Sequence, residues 1–399
     1  MFNTAANTPE SEIQMRIQRL QHEMTGAGLD GVLILQSSDL YYFCGTMQQA
    51  HLYVPVEGNP ILMAKKSIQR ACAESPMQTI VTLKSPAQLP EILKAHNCPE
   101  PRALGMELDV LPVNLYQRYL GLWPNMVVQD CSLLIRQLRA VKSPFEIDLI
   151  RQAAGLADRM AAFAATVIRE GVPEIEIAGI LEAETRRLGH QGLIRMRLWG
   201  SELFYGHFMS GWSAAVPSSL ASPTGGAAMS PAFAQGPGMK KIERGEPILF
   251  DYVFTFQGYL ADHTRIYCLG QLPDKLVAAH ETMLELQALI AREARPGKQA
   301  HELYDLALDF VTRNGYETFF MGGDDQRVGF IGHGIGLELD EFPFIAAGQK
   351  MTLQEGMIIA LEPKLIFPGQ GVVGIENTHL VTKDGLERLT FFDDSIITL

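Results

Sequence analysis

Apolar residues recur at helical spacing near the start of the chain, at Ile13, Ile17, Leu20 and Met24, and Gly26 and Gly28 end that run. Val32-Leu33-Ile34-Leu35 follows as a short buried strand. Ile61-Leu62-Met63 and Thr79-Ile80-Val81 read as further strands, with helices expected near 68–73 and 89–95 between them. Strands alternating with helices up to about Val128 predict a compact α/β domain over 1–138. Its histidines, His22, His51 and His96, stand apart from one another and form no chemical constellation.

The boundary falls at 139–142, because Ser143-Pro144-Phe145-Glu146 is a helix start. Serine serves as N-cap, proline occupies the first turn, and glutamate three residues on completes a capping box. An alanine-rich helix is expected from Ile147 to about Ile168, and a second after Pro173 that ends near Gly189. The second domain, 139–399, also carries a weak internal repeat. Arg169-Glu170-Gly171-Val172-Pro173 resembles Arg292-Glu293-Ala294-Arg295-Pro296, and the helices that follow end at Gly189 and Gly315, the latter helix reading as three residues longer. The resulting offset lays Gly206-His207 on Gly332-His333. Two related halves, each a helix pair followed by strands, would then close on one shared site. Chance similarity of such short strings is the alternative. Between the halves, 217–241 is rich in Gly, Pro, Ser and Ala and reads as a loop, either a lid or an inert insertion.

Two hairpins in this second domain each bear a pair of carboxylates. Leu249 to Phe254 runs into Gln257-Gly258, and Tyr259-Leu260-Ala261-Asp262-His263-Thr264-Arg265 runs back. Asp251 and Asp262 are nearly equidistant from the turn, so pairing makes them opposite or diagonal neighbours. Glu362 and Glu376 flank Pro368-Gly369-Gln370-Gly371 in the same way. Between the hairpins lies Gly332-His333-Gly334-Ile335-Gly336, a histidine in a glycine-rich turn. Like charges across a ladder are destabilising, so four carboxylates on apolar strands call for a cation or shared protons. Four carboxylates and an imidazole suit two divalent ions, manganese first, with cobalt, iron or zinc as alternatives. Any one of these acids taken singly reads as an edge-strand acid in water.

Composition narrows the partners. The chain has 399 residues, a formal net charge of −12, 47% hydrophobic and 20% charged residues. That is ordinary globular protein, and the charge argues against nucleic acid or an anionic membrane as partner. No apolar run approaches a membrane span, and Met1 to Glu10 lacks the features of a signal peptide. Five scattered cysteines without CxxC spacing read as thiols in a reducing cytoplasm.

Asp251, Asp262, His333, Glu362 and Glu376 resemble, in kind and order, the metal ligands of the pita-bread metallopeptidases: prolidase, aminopeptidase P and methionine aminopeptidase, with creatinase as a metal-free relative. The strings from Tyr259 to Arg265, from Gly332 to Leu337 and Glu362-Pro363 are similar to that family, as is the linker from Leu138 to Glu146. Ser38-Asp39-Leu40-Tyr41-Tyr42-Phe43-Cys44-Gly45 is similar to the creatinase-type N-terminal domain. The resemblance implies a creatinase-like α/β domain followed by an α+β pita-bread domain with a pseudo-twofold repeat. It implies that Asp262 and Glu376 bridge two ions, that Asp251 completes one, and that His333 with Glu362 completes the other. It further implies a metal-bridging hydroxide as nucleophile, Glu362 as general base, Xaa-Pro peptides as substrates and a homodimer.

Three departures qualify the substrate. Ser218 and Asp340 stand where peptidases of this family carry histidines, and Gly374 replaces an arginine often found two residues before the last ligand. An aspartate can only accept where an imidazole can donate. His207 is therefore a candidate for the missing imidazole work, or else a structural histidine. Asp340 is a candidate grip on a substrate amine, or else a partner for a neighbouring Arg or Lys. His263 is expected to point to the far face of its strand. The leading reading is a cytoplasmic Xaa-Pro dipeptidase or aminopeptidase. A metal-dependent lyase or non-peptide hydrolase is the second, since a dimethylsulfoniopropionate lyase uses this fold, and a non-enzymatic binding protein is the third.

Overall fold

The protein is described from a computed structural model covering residues 7–323 and 326–399. It divides into two compact units, Met1–Arg139 and Ala140–Leu399.

The first unit opens with α1 (Glu10–Ala27), which buries Ile13, Ile17, Leu20 and Met24 and stops where Gly28 adopts a left-handed conformation at φ +67°. There follow β1 (Gly31–Ile34), α2 (Ser37–Cys44), β2 (Ala50–Pro55), β3 (Ile61–Ala64), α3 (Ile68–Glu74) and β4 (Ile80–Thr82). The unit continues with α4 (Leu89–Ala95), β5 (Ala103–Met106), α5 (Val113–Leu120), β6 (Val127–Asp130) and α6 (Ser132–Ala140). The strands form one mixed sheet in the order β4-β3-β2-β1-β5-β6. It is an α/β layer, as the alternating pattern predicts.

The second unit begins with α7 (Pro144–Val167), whose capping box is complete: Ser143 Oγ accepts from Glu146 N at 3.2 Å and Glu146 Oε2 accepts from Ser143 N at 3.0 Å. Next come α8 (Glu174–Arg187), β7 (Gly206–Ser210), α9 (Gly211–Ala214), β8 (Ile248–Phe256) and β9 (Tyr259–Cys268). The second half runs α10 (Asp274–Glu293), α11 (Ala300–Arg313), β10 (Phe330–Gly334), β11 (Glu341–Ala346) and β12 (Ile358–Leu361). It ends with β13 (Lys364–Phe367), β14 (Gly371–Gly374), β15 (Asn377–Thr382), β16 (Gly385–Arg388) and β17 (Ile397–Thr398).

Two sheets carry this unit, β17-β9-β8-β7 and β11-β10-β12-β15-β16, with β13-β14 as a separate ribbon. Helices α7 and α8 pack Ala157, Met160, Ile177 and Leu181 against Phe208, Phe250 and Tyr252 of the first sheet. Helices α10 and α11 pack Met283, Leu286, Leu303 and Ala307 against Ile331, Ile359 and Leu361 of the second. Each half is thus a helix pair backing strands. Helices α8 and α11 have the same length, 14 residues, so the second is not longer than the first as the sequence suggested. Helices α8 and α11 start 126 residues apart, so the Arg169 and Arg292 strings, 123 apart, are offset by three residues from the structural correspondence.

Candidate metal centre

The turn of the first hairpin sets the positions of its two aspartates. Gln257 and Gly258 have φ of +49° and +89°, the two left-handed residues of a two-residue hairpin turn. The turn makes Phe256 and Tyr259 the closing pair. Counting back, Asp251 faces Thr264 and Asp262 faces Val253. The aspartates are therefore diagonal neighbours on one face, one of the two arrangements expected. On the other side of β8, His207 of β7 faces Asp251.

Glu362 and Glu376 sit in the break between two ladders. On one side Leu361 faces Asn377, and on the other Lys364 faces Gly374, both in the same register. That register sets Glu362 opposite Glu376. Pro363 cannot donate to a ladder, so the strands part there. The gap opens the two glutamates towards the first sheet, where an isolated bridge joins Thr264 to Glu376. Thr264 Oγ1 donates to Glu376 Oε2 at 2.8 Å.

His333 comes from β10 and faces Ala360, so the histidine stands on a strand and not in a turn. Its neighbouring glycines serve close approach. A Cβ at Gly332 would lie 2.5 Å from the Ala360 oxygen, and one at Gly334 would lie 2.0 Å from that of Phe342. Only glycines let β10 run this tightly between its neighbours.

The side chains converge as these strands require. One donor atom each from Asp262, His333 and Glu376 lies within 4.8 Å of the others, a donor set that fits a divalent ion of the manganese, iron or zinc type. His333 Nε2 is 3.7 Å from Glu362 Oε1 and 4.0 Å from both Asp262 Oδ2 and Glu376 Oε1. Burial first, then the charge of Asp251, pushes the Asp262 carboxyl up to about 7. Burial and Asp262 likewise hold Glu376 well above the usual carboxylate range. A cation bound between them would reverse both shifts.

A cation is already present in this cage. Lys364 Nζ donates to Glu376 Oε2 at 2.8 Å, Glu362 Oε2 at 2.9 Å and Asp251 Oδ2 at 3.1 Å, with its side chain 2% exposed. Burial alone would depress the ammonium, but Asp251, Glu362 and Glu376 together hold it well above its ordinary value. Lys364 is not among the residues the sequence motifs mark for this centre. Period-two alternation from Glu362 places it on the same strand face, which was the available signal.

Neighbouring polar groups fix the ligands. Thr378 Oγ1 accepts from Asp262 N and donates to the Asp262 carbonyl oxygen, both at 2.9 Å. Arg265, fully buried, donates to the carbonyl oxygens of Thr264 and Glu376 and to Asn377 Oδ1. His263 points the other way, edge-on to Phe250 and 3.8 Å from Asp158 of α7, as expected.

A cavity of about 190 Å³ opens onto Asp251, Asp262, His333, Glu362, Lys364 and Glu376. Met196, Leu198, Leu203, Phe330 and Phe344 give it apolar walls. His207 lines it, and its Nε2 is buried without a hydrogen-bond partner. Burial lowers the pKa of this imidazole; Asp251 opposes that and Lys364 reinforces it. Asp340 also reaches the cavity, but its two oxygens accept from Arg197 N and Leu198 N, each at 2.7 Å. It holds the backbone of the loop that forms one wall. Ser218 does not line the cavity; its Oγ accepts from Leu220 N, and Leu220 to Pro223 form the wall in its place. The expectation for Ser218 came from its position in the chain, and in an irregular loop position does not fix direction. The loop containing it is tied down at Gly238, whose N–H donates to the buried Glu174.

Residues 148–383 match the model of metallopeptidase family M24, and residues 16–141 match that of the creatinase/prolidase N-terminal domain. The chain belongs to metallopeptidase family M24. Among M24 relatives it is 29% identical over 376 residues to the Xaa-Pro dipeptidase of Pyrococcus furiosus, covering 94% of this chain and 97% of that protein. It is 29% identical over 392 residues to the Xaa-Pro dipeptidase of Lactobacillus helveticus, covering 96% and 98%. Among solved structures, the prolidase from Pyrococcus horikoshii superposes with a TM-score of 0.79 at 26% identity, over 95% of this chain and 99% of that one. The Xaa-Pro dipeptidase from Bacillus anthracis gives 0.82 at 26%, over 97% and 100%. Among the described residues no helix is long and apolar enough to cross a membrane.

Proposed function

We propose that this M24 chain is a metal-dependent peptidase acting on short Xaa-Pro peptides, dipeptides above all. The observation that carries the reading is the convergence of Asp262, His333, Glu362 and Glu376 on the floor of one apolar-walled cavity. The dipeptidase names of relatives aligned over nearly the whole chain support it. The cavity favours a small substrate, since about 190 Å³ is below the roughly 300–1,000 Å³ of sites for larger ligands.

A divalent ion such as manganese, held by Asp262, His333 and Glu376, would supply Lewis acidity and lower the pKa of a water. Glu362 would take a proton from the attacking water and hand it to the leaving proline nitrogen. His207, kept neutral by burial, offers its ring N–H to the carbonyl oxygen as charge develops there. The apolar walls suit the proline ring and keep bulk water from the reacting bond. Homodimeric assembly, which rests on the resemblance, and a cytoplasmic setting, which rests on the scattered cysteines, belong to the same proposal.

The test is release of free proline from a panel of Xaa-Pro dipeptides by protein reconstituted with Mn, Co, Fe or Zn. Metal-dependent release that disappears in Asp262→Ala is the expected result. Bound metal with no cleavage of any peptide would sink the peptidase reading. It would favour the second one, a lyase or non-peptide hydrolase, which the absence of Ser218 from the cavity also supports.

A further inference from the structure

We infer that Lys364 occupies the place of one ion of the expected pair, so that this centre takes a single divalent metal at Asp262, His333 and Glu376. The inference rests on the metal-dependent reading above and changes its stoichiometry.

Three carboxylate oxygens from three residues, Asp251, Glu362 and Glu376, surround one point at 2.8–3.1 Å, and the Lys364 ammonium is at that point. An ammonium has three N–H donors, and these three acceptors use all of them. The lysine is therefore saturated by the cage and has no donor left for a substrate. Its side chain is 2% exposed and reaches the cage from the first residue of β13. Gly374, directly opposite, leaves the stem room: a Cβ there would lie 2.7 Å from Lys364 Cα and 3.2 Å from its Cγ.

Charge points the same way. Four carboxylates carry −4, which two divalent ions would cancel. With a buried ammonium already among them, a second ion would make the cage net positive and set two cations against each other over the same oxygens. One divalent ion beside Lys364 leaves −1. The donor atoms divide accordingly: Asp262 and His333 make no bond to Lys364, whereas Asp251 turns its Oδ2 to it, and Glu376 serves both sides through different oxygens.

The deciding measurement is metal content after equilibration with Mn(II) and removal of free ion, read by elemental analysis and native mass spectrometry. Wild type should hold about one ion per chain, and Asp251→Asn should hold the same. Lys364→Gly should take up a second ion, and adding Asp251→Asn to it should return the count to one. Lys364→Met, which keeps the stem and removes the charge, is the control for a glycine variant that folds poorly. Two ions in the wild type would overturn this inference alone, because the lysine would then yield to metal. One ion in both Lys364 variants would overturn it as well. Loss of the ion in Asp251→Asn would also overturn it. No ion in the wild type would overturn the metal-dependent reading and this inference together.

Discussion

Arg265 donates through one guanidinium nitrogen to the main-chain oxygen of Glu376, 3.0 Å away, and through the same nitrogen to that of Thr264 at 2.7 Å. One buried side chain thereby ties β9, which carries Asp262, to the break that presents Glu376. Its second terminal nitrogen, Nη2, donates to Asn377 Oδ1 and the Phe392 oxygen and pairs with Asp394. The two sheets of the catalytic unit meet at this fork.

Replacing Arg265 should therefore loosen the metal centre without touching a ligand. Arg265→Met removes its bonds to the Thr264, Glu376 and Phe392 carbonyl oxygens and to Asn377 Oδ1, while Asp394 keeps Arg388, and a cost of about 1–3 kcal/mol is expected. Metal affinity should fall by roughly 10–100-fold, the usual penalty for losing a group that orients ligands. Arg265→Lys should rescue little, because a single ammonium cannot reproduce the fork. Urea denaturation and Mn(II) titration check this, and wild-type values in both would remove Arg265 from the design.

His207 and Asp251 share a rung of β7 and β8, yet their chemistry differs. Asp251 faces the Lys364 ammonium, while His207 has a buried Nε2 with no partner. A donor waiting for charge should matter to turnover more than to binding. For His207→Phe, kcat on the preferred Xaa-Pro dipeptide should drop by about 10²-fold with KM little changed. A rise in KM alone would assign the ring to substrate binding, and no change in either would make it structural.

Much of this centre is legible in the sequence because β-ladders are simple counters. Once a turn is located, residues equidistant from it must pair, and Glu362 opposite Glu376 follows from that. The diagonal offset of Asp251 and Asp262 depended on one further fact, that Gln257 and Gly258 alone form the turn. Lys364 escaped notice because a lysine opening an apolar strand reads as a surface residue, and only the face it shares with Glu362 betrays it. The glycines around His333 suggested a turn, whereas a missing side chain can equally mark a close neighbour strand. Ser218 and Asp340 were the hardest to place. They belong to loops, where no period converts chain position into direction.

Asp340 shows how a loop residue can hold the wall of the cavity it lines. Its oxygens accept from the N–H groups of Arg197 and Leu198, and Leu198 is part of the wall. Asp340→Asn would present an amide NH2 to one of these donors. The expected result is a higher KM, with faster amide hydrogen exchange at 197–198 and about 1–3 kcal/mol of lost stability. Unaltered exchange in that segment would refute the positioning role.

His190 sets an acid limit on the catalytic unit. The ring lies between Tyr205 and Phe254, with centroids at 4.9 and 5.3 Å, and its Nδ1 accepts from Gly192 N at 2.7 Å. The neutral ring must therefore carry its proton on Nε2, and a second proton would have to displace the Gly192 bond. Burial, reinforced by Arg186, lowers its pKa to about 4 from an ordinary 6.5. The unfolded chain thus takes up the proton first as pH falls. Stability is fully present above about 6.5 and declines until about 4, by roughly 3 kcal/mol at 1.36 kcal/mol per unit. His379, also near 4, titrates in the same window, so the wild-type curve alone does not isolate one ring. His190→Asn does isolate it, since its amide oxygen can keep the Gly192 bond and cannot be protonated. Denaturation series between pH 4 and 7 should show the variant losing less stability than wild type. Parallel curves would mean that His190 is protonated as readily in the folded chain as in the unfolded one.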